Sequence, residues 1–289
     1  MASFKTDAVV ETGWLAEHLD APDLVVLDGS WHLPTEKRDA LAEYREAHIP
    51  GALFFDIDKL SDEKSTLPHM LPSTVKFASS MKQMGIGDGA RIVVYDASAP
   101  GLMSAARVWW MFRAMGHQDV AVLNGGLKKW KAEARPLTAE PTAPRSPRHF
   151  TPRFNAALVR DLADMKAMVA GGHGSRIVDA RSAGRFAGRD PEPRPGLRSG
   201  HMPGARSLPF NMLLQPDGRL KPAVELARAF EQAGVDLHKP LVTSCGSGVT
   251  AAVLSLALAV LGHPDTGLYD GSWSEWGQTG LGTEVATGA

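Results

Sequence analysis

One cysteine occurs in the 289 residues, Cys245, and its neighbours decide what it can do. It stands in Val242-Thr243-Ser244-Cys245-Gly246-Ser247-Gly248-Val249-Thr250, with glycines at the first and third positions after the sulfur. Glycines so placed let the backbone curl until successive N–H groups converge, a nest that binds anions. The apolar run 240–243 predicts a short buried strand before it, and 250–258 predicts a helix after it, ended by Gly262 and Pro264. A helix N-terminus aimed at the same point adds partial positive charge. A thiol at the centre of this cup is expected to ionise and act as a nucleophile near neutral pH. Free cysteines are more often small buried hydrophobes, but a strand, Gly-rich turn and helix in that order favour chemistry.

The elements that position this loop are written twice. Leu24-Val25-Val26-Leu27-Asp28 recurs as Arg176-Ile177-Val178-Asp179, a short strand closed by an acid. The turn His48-Ile49-Pro50-Gly51-Ala52 recurs as His201-Met202-Pro203-Gly204-Ala205. Gly85 precedes Asp96 by eleven residues, and Gly234 precedes Cys245 by eleven, which aligns the two strands and sets Asp96 opposite the cysteine. Gly116-His117 answers Gly262-His263, and Asn124-Gly125-Gly126…Trp130 answers Asp270-Gly271-Ser272…Trp276. Landmarks repeated in one order indicate a duplication. Strands alternating with helical stretches predict, in each copy, a parallel sheet with helices on both faces. Reactive groups in such sheets gather at the carboxyl ends of strands, where Cys245 falls. Asp96 has no sulfur chemistry, so the first copy (1–134) is expected to be inactive. It is expected to cover the active face and lend side chains to a cleft shared with the second (156–289). Between them, 135–155 carries prolines at 136, 141, 144, 147 and 152 and reads as a semi-extended surface linker.

Composition narrows the class. A net charge of −1 gives no basic surplus for nucleic acid. One cysteine cannot form an intrachain disulfide, which fits a reducing compartment. The stretch Met1-Ala2-Ser3-Phe4-Lys5-Thr6-Asp7 has no apolar signal core. The longest apolar run, 251–261, is far short of the ~20 residues of a membrane span. A cytoplasmic enzyme is expected.

These features together resemble the two-domain rhodanese-type sulfurtransferases, over roughly 10–277. The loop Cys245-Gly246-Ser247-Gly248-Val249-Thr250 is similar to that of the 3-mercaptopyruvate branch; the thiosulfate branch carries bulkier, partly basic residues where Gly246 and Ser247 stand. The resemblance implies tandem α/β rhodanese-like domains and a persulfide formed on Cys245. That sulfur would pass to a thiol such as thioredoxin or a small thiol, or to cyanide, without metal or organic cofactor. The amides from Gly246 to Thr250 would cradle the persulfide, with Ser247 near the sulfur or the substrate carbonyl; Thr250 is also expected to cap the following helix. A keto-acid donor needs cationic partners for its carboxylate, and guanidinium suits it. Of Arg181, Arg185, Arg189, Arg194 and Arg198, the resemblance selects Arg185 and Arg194 for substrate, leaving Arg181 to pair with Asp179 or a loop carboxylate. It also places His69 and Asp58 at the cleft, a proton relay with Ser247. His48 and His201, in matching turns, are expected to be structural.

Other readings fit less well. A cysteine phosphatase needs an arginine six residues beyond its cysteine, and that position is Ala251. Thiosulfate as donor is disfavoured by Gly246 and Ser247, and a non-catalytic persulfide carrier has no use for a carboxylate site.

Overall fold

The computed structural model of the chain describes residues 7–288, so the N-terminal stretch read above for a signal segment lies almost wholly outside it. The first half runs β1 (Val9–Val10), α1 (Thr12–His18), β2 (Leu24–Asp28), α2 (Ala40–Glu46), β3 (Leu53–Phe54), α3 (Thr74–Gln83), β4 (Arg91–Tyr95), α4 (Ser104–Ala114), β5 (Val120–Leu123) and α5 (Gly126–Ala132). The second runs β6 (Val159–Arg160), α6 (Leu162–Ala170), β7 (Ile177–Asp179), α7 (Ala183–Phe186), β8 (Arg206–Ser207), α8 (Ala223–Gln232), β9 (Val242–Ser244), α9 (Ala251–Val260), β10 (Gly267–Tyr269) and α10 (Ser272–Trp276). Short 3₁₀ turns punctuate both.

Each half forms a five-stranded parallel sheet, ordered β1-β5-β4-β2-β3 and β6-β10-β9-β7-β8. The order is the same once the second half is renumbered, so the duplication is one of topology as well as sequence. Central strands β2, β4 and β5 are buried along their whole length, as are β7, β9 and β10. Such strands pack only when helices cover both faces, which is why β2, β4 and β5 are mostly apolar, while β9, Val242-Thr243-Ser244, buries a Thr243 hydroxyl bonded to Ser255. The repeated glycines hold matching backbones: φ is +77° and +78° at Gly51 and Gly204, +69° and +72° at Gly85 and Gly234, +85° and +89° at Gly116 and Gly262. A left-handed turn at these helix ends and loops needs a residue without a Cβ, so the sequence repeats them.

By contact density the chain divides into two units. Among the described residues, one comprises 7–63, 71–155 and 214–220; the other comprises 64–70, 156–213 and 221–288. The core of the first joins Leu24, Val26, Val93, Tyr95, Ala121 and Trp130; that of the second joins Met165, Ile177, Val242, Tyr269, Trp273 and Trp276. Residues 135–155 hold no helix or strand and pack with the first unit. They are less uniformly superficial than their composition suggests: Phe150 is buried against Phe77 and Phe112. Among the described residues no helix is long and apolar enough to cross a membrane. His48 and His201 take matching places: each ring stacks on an aromatic, Tyr44 or Phe186, and its Nδ1 donates to that residue's carbonyl.

The copies differ at the acid closing their second strands. Asp179 is paired with Arg181, whereas Asp28, buried to 1% exposure, has Ser30 at the corresponding place and accepts its backbone N–H. Burial pushes the Asp28 carboxyl up from 3.8 to about 6, against the pull of Ser30 and Tyr95. A carboxyl with a raised folded-state pKa binds its proton more tightly in the native chain, so its contribution to stability is complete below pH ~4 and is lost as pH rises to ~6. The loss is on the order of 3 kcal/mol. The difference in unfolding free energy between the native chain and Asp28→Asn, followed by urea denaturation, is therefore expected to change across pH 4 to 6 and to be flat above it.

Candidate active site

Cys245 closes β9, the central strand of the second sheet, and is 2% exposed. The loop behind it is anchored through its carbonyls. Trp273 N–H donates to the Cys245 carbonyl at 2.9 Å, and both the N–H and the hydroxyl of Ser274 donate to that of Gly246, at 2.8 and 2.7 Å. The Ser272 hydroxyl donates to the Tyr269 carbonyl and accepts the Cys245 N–H. With its carbonyls tied to α10, the loop presents its other polar face. Among the described residues the amides of Gly246, Ser247, Val249 and Thr250 donate to no protein acceptor. Buried or half-buried N–H groups without acceptors are costly, and several of them in the residues that follow the cysteine make a candidate site for an anion. Gly248, at φ +77°, gives the loop its curl.

The first copy shows what such a loop holds. At the cysteine-equivalent position the Asp96 carboxylate accepts the amides of Ser98, Met103 and Ala105 at 3.0, 2.8 and 2.8 Å, and the Ser98 hydroxyl as well. The cup is thus occupied by a carboxylate in one copy and faces a thiol in the other.

Arg185 stands over the loop. A Cβ added at Gly246 would lie 3.0 Å from its Nη2, so the guanidinium meets the residue next to the cysteine. The arginine sits on α7, whose start is capped by the Ser182 hydroxyl. Glu192 holds its Nη2 and Nε at 2.5 and 3.3 Å, leaving Nη1 with no partner among the described residues. Glu192 also takes Arg181 Nη1 at 2.8 Å. Arg181 itself grips Asp179 through Nε and Nη2, donates to the Gly200 carbonyl, and lies on the Trp273 ring. Burial works against its charge, yet Asp179 and Glu192 hold its pKa above the usual arginine value. Arg181 is therefore the buried strut of the site. Arg198 is structural, spent on the carbonyls of Trp276, Gly277 and Thr283.

His69, in the second unit, is buried at φ +61° and accepts from Arg194 Nη2 on Nε2 at 3.5 Å. Left-handed backbone is uncommon for histidine and is held only by its surroundings. Accepting through Nε2 puts the proton of the neutral ring on Nδ1. Asp58 belongs to the first unit, where its exposed carboxylate accepts the Trp31 indole at 3.0 Å. Ser247 is buried, and its hydroxyl bonds nothing else among the described residues. Thr250 does not cap α9: it is itself helical at φ −75°, ψ −19°, and its side chain makes no capping bond. Since the loop already enters the helix in right-handed turns, the extended backbone of a side-chain cap is absent.

Two residues escape a reading by spacing. Ser272, at φ +50°, stands where the first copy has Gly126 at φ +55°; a serine in a glycine's left-handed place was the signal. Glu192 looked like one charge in a solvated loop, but its side chain is only 2% exposed and ties two arginines together.

The sequence matches the rhodanese-like domain twice, over 11–133 and 161–279. It is 45% identical to human 3-mercaptopyruvate sulfurtransferase over 273 residues, 93% of this chain and 91% of that protein. It is 43% identical to chicken thiosulfate sulfurtransferase, covering 93% of each. The crystal structure of SseA from Escherichia coli, described as a 3-mercaptopyruvate sulfotransferase, superposes with a TM-score of 0.83 at 41% identity, over 93% of this chain and 99% of that one.

Removing the Ser272 hydroxyl separates strain from bonding. Ser272→Ala keeps the left-handed backbone and loses both hydrogen bonds, and is expected to cost about 1–3 kcal/mol in urea unfolding. Ser272→Gly relieves the backbone and should cost about 1 kcal/mol less.

With one sheet order, one set of left-handed glycines and one loop site in each half, and the domain matched over both, the chain belongs to the rhodanese family of sulfurtransferases.

Proposed function

We propose that the chain moves sulfur from 3-mercaptopyruvate to a thiol or to cyanide through a persulfide on Cys245. The observation carrying this reading is the set of acceptor-less amides at Gly246, Ser247, Val249 and Thr250 next to the cysteine, with the Arg185 guanidinium over Gly246. The Cys245 thiolate attacks the donor's sulfur; an S–S bond forms, the S–C3 bond breaks, and its electron pair leaves on the enolate of pyruvate. The proton from the donor's thiol ends on C3, giving pyruvate and Cys–S–S⁻. An acceptor thiolate, of a small thiol or a protein such as thioredoxin, then takes the outer sulfur and returns Cys245 to its thiolate. Cyanide instead leaves as thiocyanate.

Amides from Gly246 to Thr250 bear the charge of thiolate and persulfide. They act in a site already assembled, so little reorganisation accompanies the charge shift. Arg185 and Arg194 take the donor's carboxylate and keto oxygen, with Glu192 aiming the first. Ser247 hydrogen-bonds the sulfur or the carbonyl. His69 and Asp58 complete the proton relay, and the strained backbone of His69 together with its bond to Arg194 supports its part in it. None of these steps calls on a metal or organic cofactor. A reducing compartment such as the cytoplasm suits a reaction that runs through one thiolate.

Thiosulfate is the second reading, and the chicken relative's name favours it. A dianion with no carbon skeleton gains from cations at the loop rim, where this chain has Gly246 and Ser247. Purified protein is expected to release pyruvate from mercaptopyruvate far faster than it forms thiocyanate from thiosulfate; the reverse ratio overturns the donor assignment. Intact-mass spectrometry after mercaptopyruvate should show one added sulfur, absent in Cys245→Ser.

Arg185→Ala and Arg194→Ala are expected chiefly to raise KM for mercaptopyruvate, roughly ten- to hundred-fold, for the loss of about 1.5–3 kcal/mol of charge-assisted contact. Steady-state kinetics with KM unchanged in both would remove them from the substrate site.

A further inference from the structure

The duplication exposes a difference at the opposite end of the sheets from Cys245. In the first copy, the groove between the loop before β4 and the turn after α4 is covered by the extended segment 145–155. Asp88 N–H donates to the His149 carbonyl, and Thr151 binds the Asp88 carboxylate through its N–H and its hydroxyl. Arg153 N–H donates to the Met115 carbonyl, and Asn155 N–H to that of Ala114. Phe150 fills the groove against Phe112 and the His117 ring. The fit is close enough that a Cβ at Gly116 would strike the Arg153 carbonyl at 2.3 Å, and one at Gly85 the Arg145 side chain at 2.4 Å. Charge matches too. The segment brings Arg145, Arg148 and Arg153 to walls carrying Asp23, Asp88 and Asp119.

In the second copy the Arg206 side chain lies over Gly234, where Arg145 lies over Gly85, but among the described residues no extended segment continues the cover to Gly262. Gly262, at φ +89°, repeats the left-handed backbone of Gly116 at +85°, yet nothing among the described residues lies within 4 Å of where its Cβ would stand. The space, about 550 Å³, runs from 237–241 to 262–267 over the side chain of Arg160. Arg160 is anchored by the carbonyls of Ala156, Ala157 and Val159. The charge has shifted toward basic: Asp88, Gly89 and Ala90 correspond to Leu237, His238 and Lys239, Arg160 adds a second cation to the lining, and the acid the lining retains is Asp265. Lys239 pairs with Asp236 at 3.2 Å, but both are about half exposed, so the pair yields easily to a competing carboxylate. Leu237 and His263, half-buried, offer an apolar floor.

We propose that this groove docks an extended acidic segment of a partner polypeptide, laid over Gly262 and the 237–241 loop as residues 148–155 lie over Gly116 and the loop before β4. The inference is independent of the sulfur donor, since it rests on the amino ends of β9 and β10.

The probe is a fluorescent peptide with the sequence of 145–155 and glutamate in place of its three arginines, titrated onto the whole chain by anisotropy. It is expected to bind, to weaken with salt, and to protect the amides of 237–239, 241, 262, 263, 265 and 266 from hydrogen exchange. His238→Glu combined with Lys239→Glu is expected to weaken it about tenfold while leaving sulfur transfer to a small thiol unchanged. Equal binding of the arginine-bearing peptide, or binding indifferent to the double variant, overturns the proposal. So does protection of the same amides by inorganic phosphate alone without any by the peptide, which would make the groove a small-anion site.

Discussion

Everything in this fold turns on where backbone amides at the end of a central strand find their negative charge. The loop following β4 or β9 curls so that its carbonyls point outward and its N–H groups inward. A buried N–H without an acceptor is costly, so the curl persists only if something anionic sits inside it. In the first half the chain supplies that anion itself, as Asp96. In the second the place belongs to the sulfur of Cys245, and the amides that follow it are left without a protein acceptor. The rest of the second unit serves this arrangement: α10 binds the carbonyls, and Arg181 with Glu192 locks the neighbouring loop so that Arg185 stays over Gly246.

The buried ionic cluster behind the loop is worth more for geometry than for stability. Asp179, Arg181 and Glu192 are sealed from water, and desolvation of that kind consumes most of the Coulombic gain. What it secures is direction. Arg185, clamped on one side of its fork by Glu192, has lost much of the rotamer freedom a solvent-exposed arginine would retain, so less remains to be lost on binding an anion. Among the described residues the corresponding acid of the first half, Asp28, has no ion-pair partner and is left to burial and a few neutral donors.

Much of this was legible in the residues. The two-fold repeat could be read because left-handed turns need glycine, and glycines recur where the backbone recurs. The cysteine loop could be read because glycines beside a lone thiol between a strand and a helix leave few structures open. The residues that escaped depend on partners distant in sequence. Ser272 matters because β10 ends beside β9, and Glu192 because the 181–200 loop folds back on itself. Nothing near either residue announces that. Segments 64–70 and 214–220 show the same limit, each packing with the unit formed mainly by the other half of the sequence. Thr250 erred the other way: threonine before an apolar run is a good cap in general, but this helix grows out of a turn already wound like one.

Asp96 also bears on whether the first half could accommodate a reactive sulfur. Exchanging its carboxylate for a thiol would strip three amides of a charged acceptor at once, each such bond being worth about 1.5–3 kcal/mol. That sum is comparable with the entire margin by which a domain stays folded. The first loop is therefore committed to its carboxylate by its own tight wiring. A thiol could stand there only after the surrounding hydrogen bonds had been rebuilt around a neutral or weaker acceptor.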